Sequence, residues 1–216
     1  MKYLILLLLS FSAFASNCPD LYPNGKVIVI PNTIELCNTE FVTVYDPVLK
    51  GNIFSAEKFV GGTDKIVRTN HFHPDARLDK KVRAELKDYL NSGVDKGHMA
   101  PAADMVTDKE MDESFLLSNM SPQSSILNEQ KWRLMEAHVR SKAANNTYII
   151  TGAYYDKSPK TIGDNHIPIP SGYYKCAFYP TKEVECFKAD NKDESDVVKI
   201  ELADIVKTLS YKIESK

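Results

Sequence analysis

One histidine, His98, follows a glycine and stands two residues after Lys96 in the stretch DKGHMAPAADM, which runs from Asp95 to Met105. Further along, LNEQKWRLMEAHVR carries an amide at Asn128, a carboxylate at Glu136 and a guanidinium at Arg140. A base, a neutral oxygen donor, an acid and two cations form a set suited to attack on a phosphodiester. A hard cation such as magnesium prefers oxygen ligands and keeps several of its waters, so a site with few protein ligands is sufficient for it. An imidazole near its ordinary pKa of about 6.5 accepts a proton at neutral pH, and a positioned general base contributes roughly 10²- to 10⁴-fold in rate.

These groups must be brought together by separate elements. VDKGHMAP is too short and too broken by glycine for a helix and is expected to be a strand or hairpin arm. FLLSNMSPQ is expected to be an apolar strand stopped by Ser121 and Pro122, with Asn119 at its end. SSILNEQKWRLMEAHVRSKAANN is the strongest helix in the chain, with Leu127, Leu134, Met135, Val139 and Ala143 at helical spacing and Ser124 or Ser125 as its cap. On that helix Asn128, Trp132, Glu136 and Arg140 are four residues apart. Each step rotates about 40° beyond a full turn, so they form one drifting stripe.

Other segments fill in an α+β domain. FVTVYDPVL alternates as a strand ending at Pro47, and LDKKVRAELKDYLNSG is expected to be a short helix closed by Gly93. TYIITGAYY is expected to be a buried strand, HIPIPSGYYKCAFYP with VECFKA a hairpin, and IELADIVKTLSYKI a terminal helix turning Ile205, Leu209 and Ile213 inward. AADMVTDKEMDESF is a polar crossing, helical or irregular, and DNKDESD a surface loop.

DKGHMAPAADM, FLLSNMSPQ and LNEQKWRLME resemble, in order and spacing, the DNA/RNA non-specific endonucleases, the ββα-metal nucleases that include endonuclease G. The resemblance extends from about Tyr45 to IELADIVKTL. It implies one α+β domain with a mixed or antiparallel sheet and a ββα-metal motif, and hydrolysis of DNA and RNA to 5′-phosphate ends. It implies that His98 is the general base and that Asn128 is the direct protein ligand of magnesium, for which manganese substitutes. Glu136 and Asn119 take supporting catalytic positions, Asp95 orients the hairpin, and Arg140 contacts phosphate. The family's arginine before the histidine is Lys96 here, which keeps the charge but not the planar, two-pronged donor. The family's upstream arginine matches either Arg68 or Arg77 in RTNHFHPDAR.

The ends and the composition set the setting. MKYLILLLLSFSAFA has one lysine, an apolar run and small residues near Ala15, as in a secretory leader covering residues 1–15. Its run falls short of the roughly 20 residues a membrane span needs, and no later segment is long enough, so residues 16–216 are expected to leave the membrane, secreted or periplasmic. In such a compartment Cys18, Cys37, Cys176 and Cys186 are expected to form disulfides rather than thiols. Of the three possible pairings, Cys18 with Cys37 and Cys176 with Cys186 is favoured, because CAFYPTKEVEC folds back around a turn at Pro180 to Glu183. The formal charge is −2 over the 216-residue chain, one unit more negative without Lys2, whereas a protein that coats nucleic acid statically is usually basic; an enzyme that touches phosphate briefly need not be.

Two competing readings stand beside this one. A catalytically silent nucleic-acid-binding protein would keep the scaffold without the chemistry. His71 and His73 in HFHP, pointing to one side of an extended segment, would share a transition metal and make a zinc-dependent hydrolase, although no further histidine or cysteine is near them in sequence.

Overall fold

The computed structural model describes residues 16–61, 66–209 and 214–215. The leader expected over residues 1–15, and Ile213, lie outside them. Seven antiparallel strands form the main sheet, in the spatial order Val198–Ile200, Val184–Asp190, Gly172–Phe178, Thr147–Tyr154, Gly51–Phe59, Phe41–Asp46 and Ile34–Cys37. The α+β expectation and the alternating strand at FVTVYD both hold. Among the described residues no helix is long and apolar enough to cross a membrane.

The sheet is covered on both faces, which explains why its central strands are apolar at consecutive positions. On Gly172–Phe178, Tyr174 and Cys176 pack with Val42, Val44, Phe54 and Ile150. The alternate residues Tyr173 and Ala177 pack with Met99, Trp132, Val139 and Ile149 on the other side. The second face also carries a buried polar row, Thr43, Ser55, Thr151 and Lys175, which are successive cross-strand partners over four strands. Directly opposed residues share a face, so this row presents hydrogen-bonding groups to whatever packs on it. What packs on it is a ββα unit. Asp95–His98 pairs antiparallel with Met120–Gln123, and a helix follows that ends at Lys142.

Both expected disulfides are present. Cys18 joins Cys37, and Cys176 joins Cys186, its directly opposed partner in the hairpin.

Several local expectations are corrected. The helix expected over LDKKVRAELKDYLNSG is a single turn, Leu86–Tyr89, because the Asp88 carboxylate accepts from the Glu85 backbone N–H at 2.8 Å and fixes the start there. Before it the chain winds around Arg83, which donates to the Asp75 and Leu78 carbonyls at 3.1 and 3.3 Å. Ser121 and Pro122 do not stop the second ribbon strand but lie within it. A proline is tolerated because the ribbon has only two strands and leaves an edge free. The polar crossing contains a true helix, Asp108–Ser114, started by a reciprocal cap between Thr107 and Glu110. In the long helix Leu134 faces solvent rather than the core, while Trp132 is buried, as its size and type lead one to expect. The terminal helix covers Leu202–Thr208 and buries Ile205 as expected.

Glu185 anchors the outer end of the sheet. Burial pushes its carboxyl up, but hydrogen bonds from Lys199, Lys142, Tyr179 and His138 outweigh that and bring its pKa from 4.5 down to about 2. A depressed carboxylate stabilises the fold above its unfolded pKa and loses that contribution as pH falls through the folded value. Glu185→Gln is therefore expected to lower the urea midpoint at pH 7 and to flatten the stability loss that the wild type shows between pH 4.5 and about 2, read by urea melts across a pH series.

Candidate active site

Asp95, Lys96, His98, Asn128, Glu136 and Arg140 line one cleft of about 630 Å³, together with Arg68, Phe72, Glu129 and Arg133. The ribbon supplies the first three, and the helix supplies Asn128 and the residues after it.

Asp95 decides how Asn128 presents itself. An ionised carboxylate can only accept hydrogen bonds, and Asp95 Oδ2 accepts from Asn128 Nδ2 at 2.9 Å. The amide orientation is thereby fixed by chemistry, and Oδ1 of Asn128 is left without a hydrogen-bond partner among the described residues. The other Asp95 oxygen accepts from Ser125 Oγ at 2.7 Å, tying the ribbon to the first turn of the helix. A neutral amide oxygen left unpaired among the described residues, in a cleft that the Glu136 carboxyl also lines, fits a hard divalent cation that keeps most of its water.

The helix does not run as a regular α-helix past this point. Leu127–Trp132 is a π turn, followed by α-helix over Arg133–Lys142. In an ideal α-helix residues eight apart drift by about 80°. The wider i→i+5 turn takes back part of that drift, so that Asn128 and Glu136 share the cleft while Trp132, midway between them, packs against Tyr173 at 5.8 Å between ring centroids. The stripe expected from sequence thus loses its aromatic member and keeps its polar ones.

His98 stands with its ring against Phe115 at 4.9 Å and Phe72 at 5.8 Å, and its Nε2 is buried without a hydrogen-bond partner among the described residues. Burial, and then the Arg68 guanidinium, pull its pKa from 6.5 down to about 3, so the ring is neutral at pH 7 and its nitrogen lone pair is unprotonated. Asn119, expected among the catalytic groups, is fully buried and does not line the cleft. Its Oδ1 accepts from Ala100 N at 3.0 Å and Ser55 Oγ at 3.1 Å, its Nδ2 donates to the Ala100 and Ser114 carbonyls at 2.9 Å each, and its own carbonyl accepts from Met99 N at 2.9 Å. Asn119 therefore holds the chain just after His98 and seats it on the polar row of the sheet.

Gly97 serves proximity rather than flexibility. A Cβ there would stand 2.1 Å from Gln123 Oε1 and 2.8 Å from Gln123 Cβ, so only glycine lets the two ribbon strands carry a buried glutamine between them.

Of the two upstream arginines, Arg68 lines the cleft, whereas Arg77 is held by Asp75 at 2.9 and 2.7 Å and by the Cys37 carbonyl at 2.8 Å. Lys96 reaches over the rings of Phe72 and Tyr89, with Nζ at 4.8 and 5.5 Å from their centroids. Arg140 is paired with the buried Asp104, so it is less free to move toward a ligand than Lys96 or Arg133.

Sequence reasoning missed the layer beneath the cleft. Lys175, on the polar row, donates to Thr151 Oγ1 at 2.5 Å and lies 3.4 Å from Glu136 Oε1. Around it are the buried carboxyls of Glu57 and Asp104, and burial raises the pKa of Glu57, Asp104 and Glu136 against the pull of Lys175 and Arg140. Arg133 was also missed. Its spacing of three from Glu136 and seven from Arg140 places it on their helical face and was the available signal.

A two-stranded ribbon and a helix converging on one histidine-bearing cleft define a ββα nuclease-type site on an antiparallel sheet. The comparisons with known proteins agree with it. Residues 25–211 match the family model described as DNA/RNA non-specific endonuclease, and the chain belongs to that family, whose members are metal-dependent nucleases. A nuclease of Syncephalastrum racemosum is 35% identical over 136 residues, covering 54% of this chain and 42% of the relative. The mitochondrial endonuclease G of Homo sapiens is 32% identical over 167 residues, covering 68% and 55%. The chain thus spans about half the length of these curated relatives. A solved structure of the EndoG/EndoGI complex superposes with a TM-score of 0.73 over 83% of this chain and 84% of that one, at 24% identity, and carries the likeness of fold.

Two outcomes follow from this geometry. Lys175→Met leaves three carboxyls facing one cation and is expected to destabilise the fold by about 3–5 kcal/mol, as when one partner of a buried pair is removed, measured by urea denaturation. Gly97→Ala is expected to displace Gln123 and lower the melting temperature, whereas Gly93→Ala, where nothing lies within 4 Å but φ is +77°, should show only the smaller backbone penalty.

Proposed function

We propose that this protein is an exported, magnesium-dependent endonuclease that hydrolyses DNA and RNA with little sequence preference and leaves 5′-phosphate ends. The observation that carries the reading is the hydrogen bond from Asn128 Nδ2 to Asp95, which leaves Asn128 Oδ1, unpaired among the described residues, as an oxygen ligand in the cleft that also holds His98.

In this reading Asn128 Oδ1, with Glu136 through water, would hold the cation. When bound, magnesium offsets the negative charge that gathers on the phosphate oxygens; manganese would substitute. His98 takes the proton of the attacking water. Burial and Arg68 keep the ring unprotonated, so its lone pair is free to receive that proton, at a cost in basicity. Lys96, Arg68 and Arg133 draw the backbone in. Such groups grip phosphate and ignore the base edges, so the cut is nearly independent of sequence. Lys175 holds Glu136 in place from below.

Export is supported by the two disulfides, which persist in oxidising compartments. A periplasmic protein and one released to the medium satisfy this equally.

Incubating the protein with plasmid DNA and with RNA, in magnesium and then in EDTA, tests the reading. Cleavage of both polymers that stops on chelation is expected, and His98→Ala should lower the rate by about 10²- to 10⁴-fold. Asn128→Ala should cut activity by orders of magnitude and shift its magnesium titration. Binding without cleavage would instead identify a silent nucleic-acid-binding protein.

A further inference from the structure

The histidine pair His71 and His73 plays no part in the cleft, yet the fold completes it with a third group remote in sequence. Asp112, on the helix Asp108–Ser114, brings Oδ1 to 3.2 Å from His71 Nδ1 and Oδ2 to 3.7 Å from His73 Nε2. One ligand atom from each of the three residues lies within 4.8 Å of the others. The two imidazole rings are stacked, with centroids 5.0 Å apart and planes at 28°.

The tautomer of His73 makes this cluster more than a surface hydrogen bond. His73 Nδ1 is 2.9 Å from the His71 carbonyl oxygen, and a carbonyl only accepts, so Nδ1 carries a proton. In the neutral ring Nε2 then holds a lone pair, and that lone pair faces a carboxylate oxygen. Two acceptors turned toward each other at 3.7 Å are a pair that a cation seated between them would satisfy. A histidine that donates its other N–H to a backbone carbonyl is also the usual arrangement behind a metal ligand, fixing ring orientation and raising basicity.

The spacing suits a metal. Ligand atoms around a tetrahedral zinc at about 2.0–2.1 Å lie about 3.3 Å apart, so the three side chains, one ligand atom of each already within 4.8 Å of the others, need only a small inward shift to close on the ion. The backbone is held as well. His73 N donates to the Phe115 carbonyl at 3.2 Å, and Leu117 N donates to the His73 carbonyl at 2.8 Å, so the histidine segment is bridged to the chain that leaves the Asp112 helix.

We infer that His71, His73 and Asp112 form a second metal site, separate from the cleft, that takes a zinc-class transition ion with its remaining position open to solvent. None of the three lines the cleft. The role of the ion is to pin a wall of the cleft: Phe72, between the two histidines, packs its ring 4.8 Å from Phe115 and 5.8 Å from His98.

The test uses the whole protein, stripped of metal and titrated with zinc chloride against a chromophoric chelator, with the melting temperature followed in parallel. The wild type and His98→Ala should each bind one equivalent more than His71→Ala/His73→Ala, and zinc should raise the melting temperature of the first two only. His73→Ala and Asp112→Asn should each weaken that equivalent by about 10- to 100-fold or more, at least the loss seen when a ligand's supporting partner is removed. Equal zinc uptake by wild type and the double variant would overturn the site, as would loss of the equivalent in His98→Ala. Circular dichroism of the variants before zinc addition identifies any that fail to fold, and Asp112→Asn, nearly isosteric and exposed, keeps the comparison available.

Discussion

A carboxylate has no proton to give, and the arrangement of this cleft follows from that fact at Asp95. By accepting from Ser125 and from the amide of Asn128 at once, it fastens the ribbon to the helix and decides which end of the Asn128 amide remains available. The rest of the ββα unit serves this contact. Gly97 lets the ribbon strands close over Gln123, and Asn119 locks the chain that follows His98 with two side-chain hydrogen bonds to Ala100 and ties it to Ser55 and Ser114 with two more. The π turn brings the polar residues of the helix into phase with the cleft. Each of these devices is local, but all of them set the position of one amide oxygen relative to one imidazole.

Beneath this unit the sheet departs from an apolar interior. Glu57, Asp104 and Glu136 gather around Lys175 and Arg140, all on the same side as the cleft. Such a cluster is a poor source of stability, because removing charges from water costs several kcal/mol per ion and good geometry only offsets this. Its value is positional. A carboxylate in water samples many rotamers, whereas Glu136, paired with a cation that is itself held by Thr151, has its approach to the cleft decided from below.

Much of this was legible in the sequence, for identifiable reasons. The cysteine spacing around YPTKEVE announced a hairpin, and the opposed pair Cys176 and Cys186 confirms its register. The motif segments placed His98, Asn128 and Glu136 on strand and helix, and the three do converge on one cleft. The π turn was not legible, because apolar spacing cannot distinguish one extra residue in a turn from a regular helix with an exposed leucine at Leu134. Lys175 was missed for a related reason: a charge between apolar neighbours in a strand suggests a solvent-facing side, but this sheet has no such side at its centre. Glu57, on the strand Gly51–Phe59, and Asp104, on the turn Ala102–Asp104, come to it from elements remote in sequence. The third member of the histidine cluster, Asp112, comes from an element far along the chain, and local pattern carries no information on that contact.

Lys175 and Cys176 are consecutive on one strand and therefore face opposite sides of the sheet. A slip of one residue between this strand and its neighbour would turn the ammonium into the wrong core and leave three carboxyls without it. The bridge from Cys176 to Cys186 joins directly opposed residues, so the covalent bond and the correct alignment imply one another. The crosslink on one side of the sheet thus holds the hairpin alignment that turns Lys175 toward Glu136 on the other.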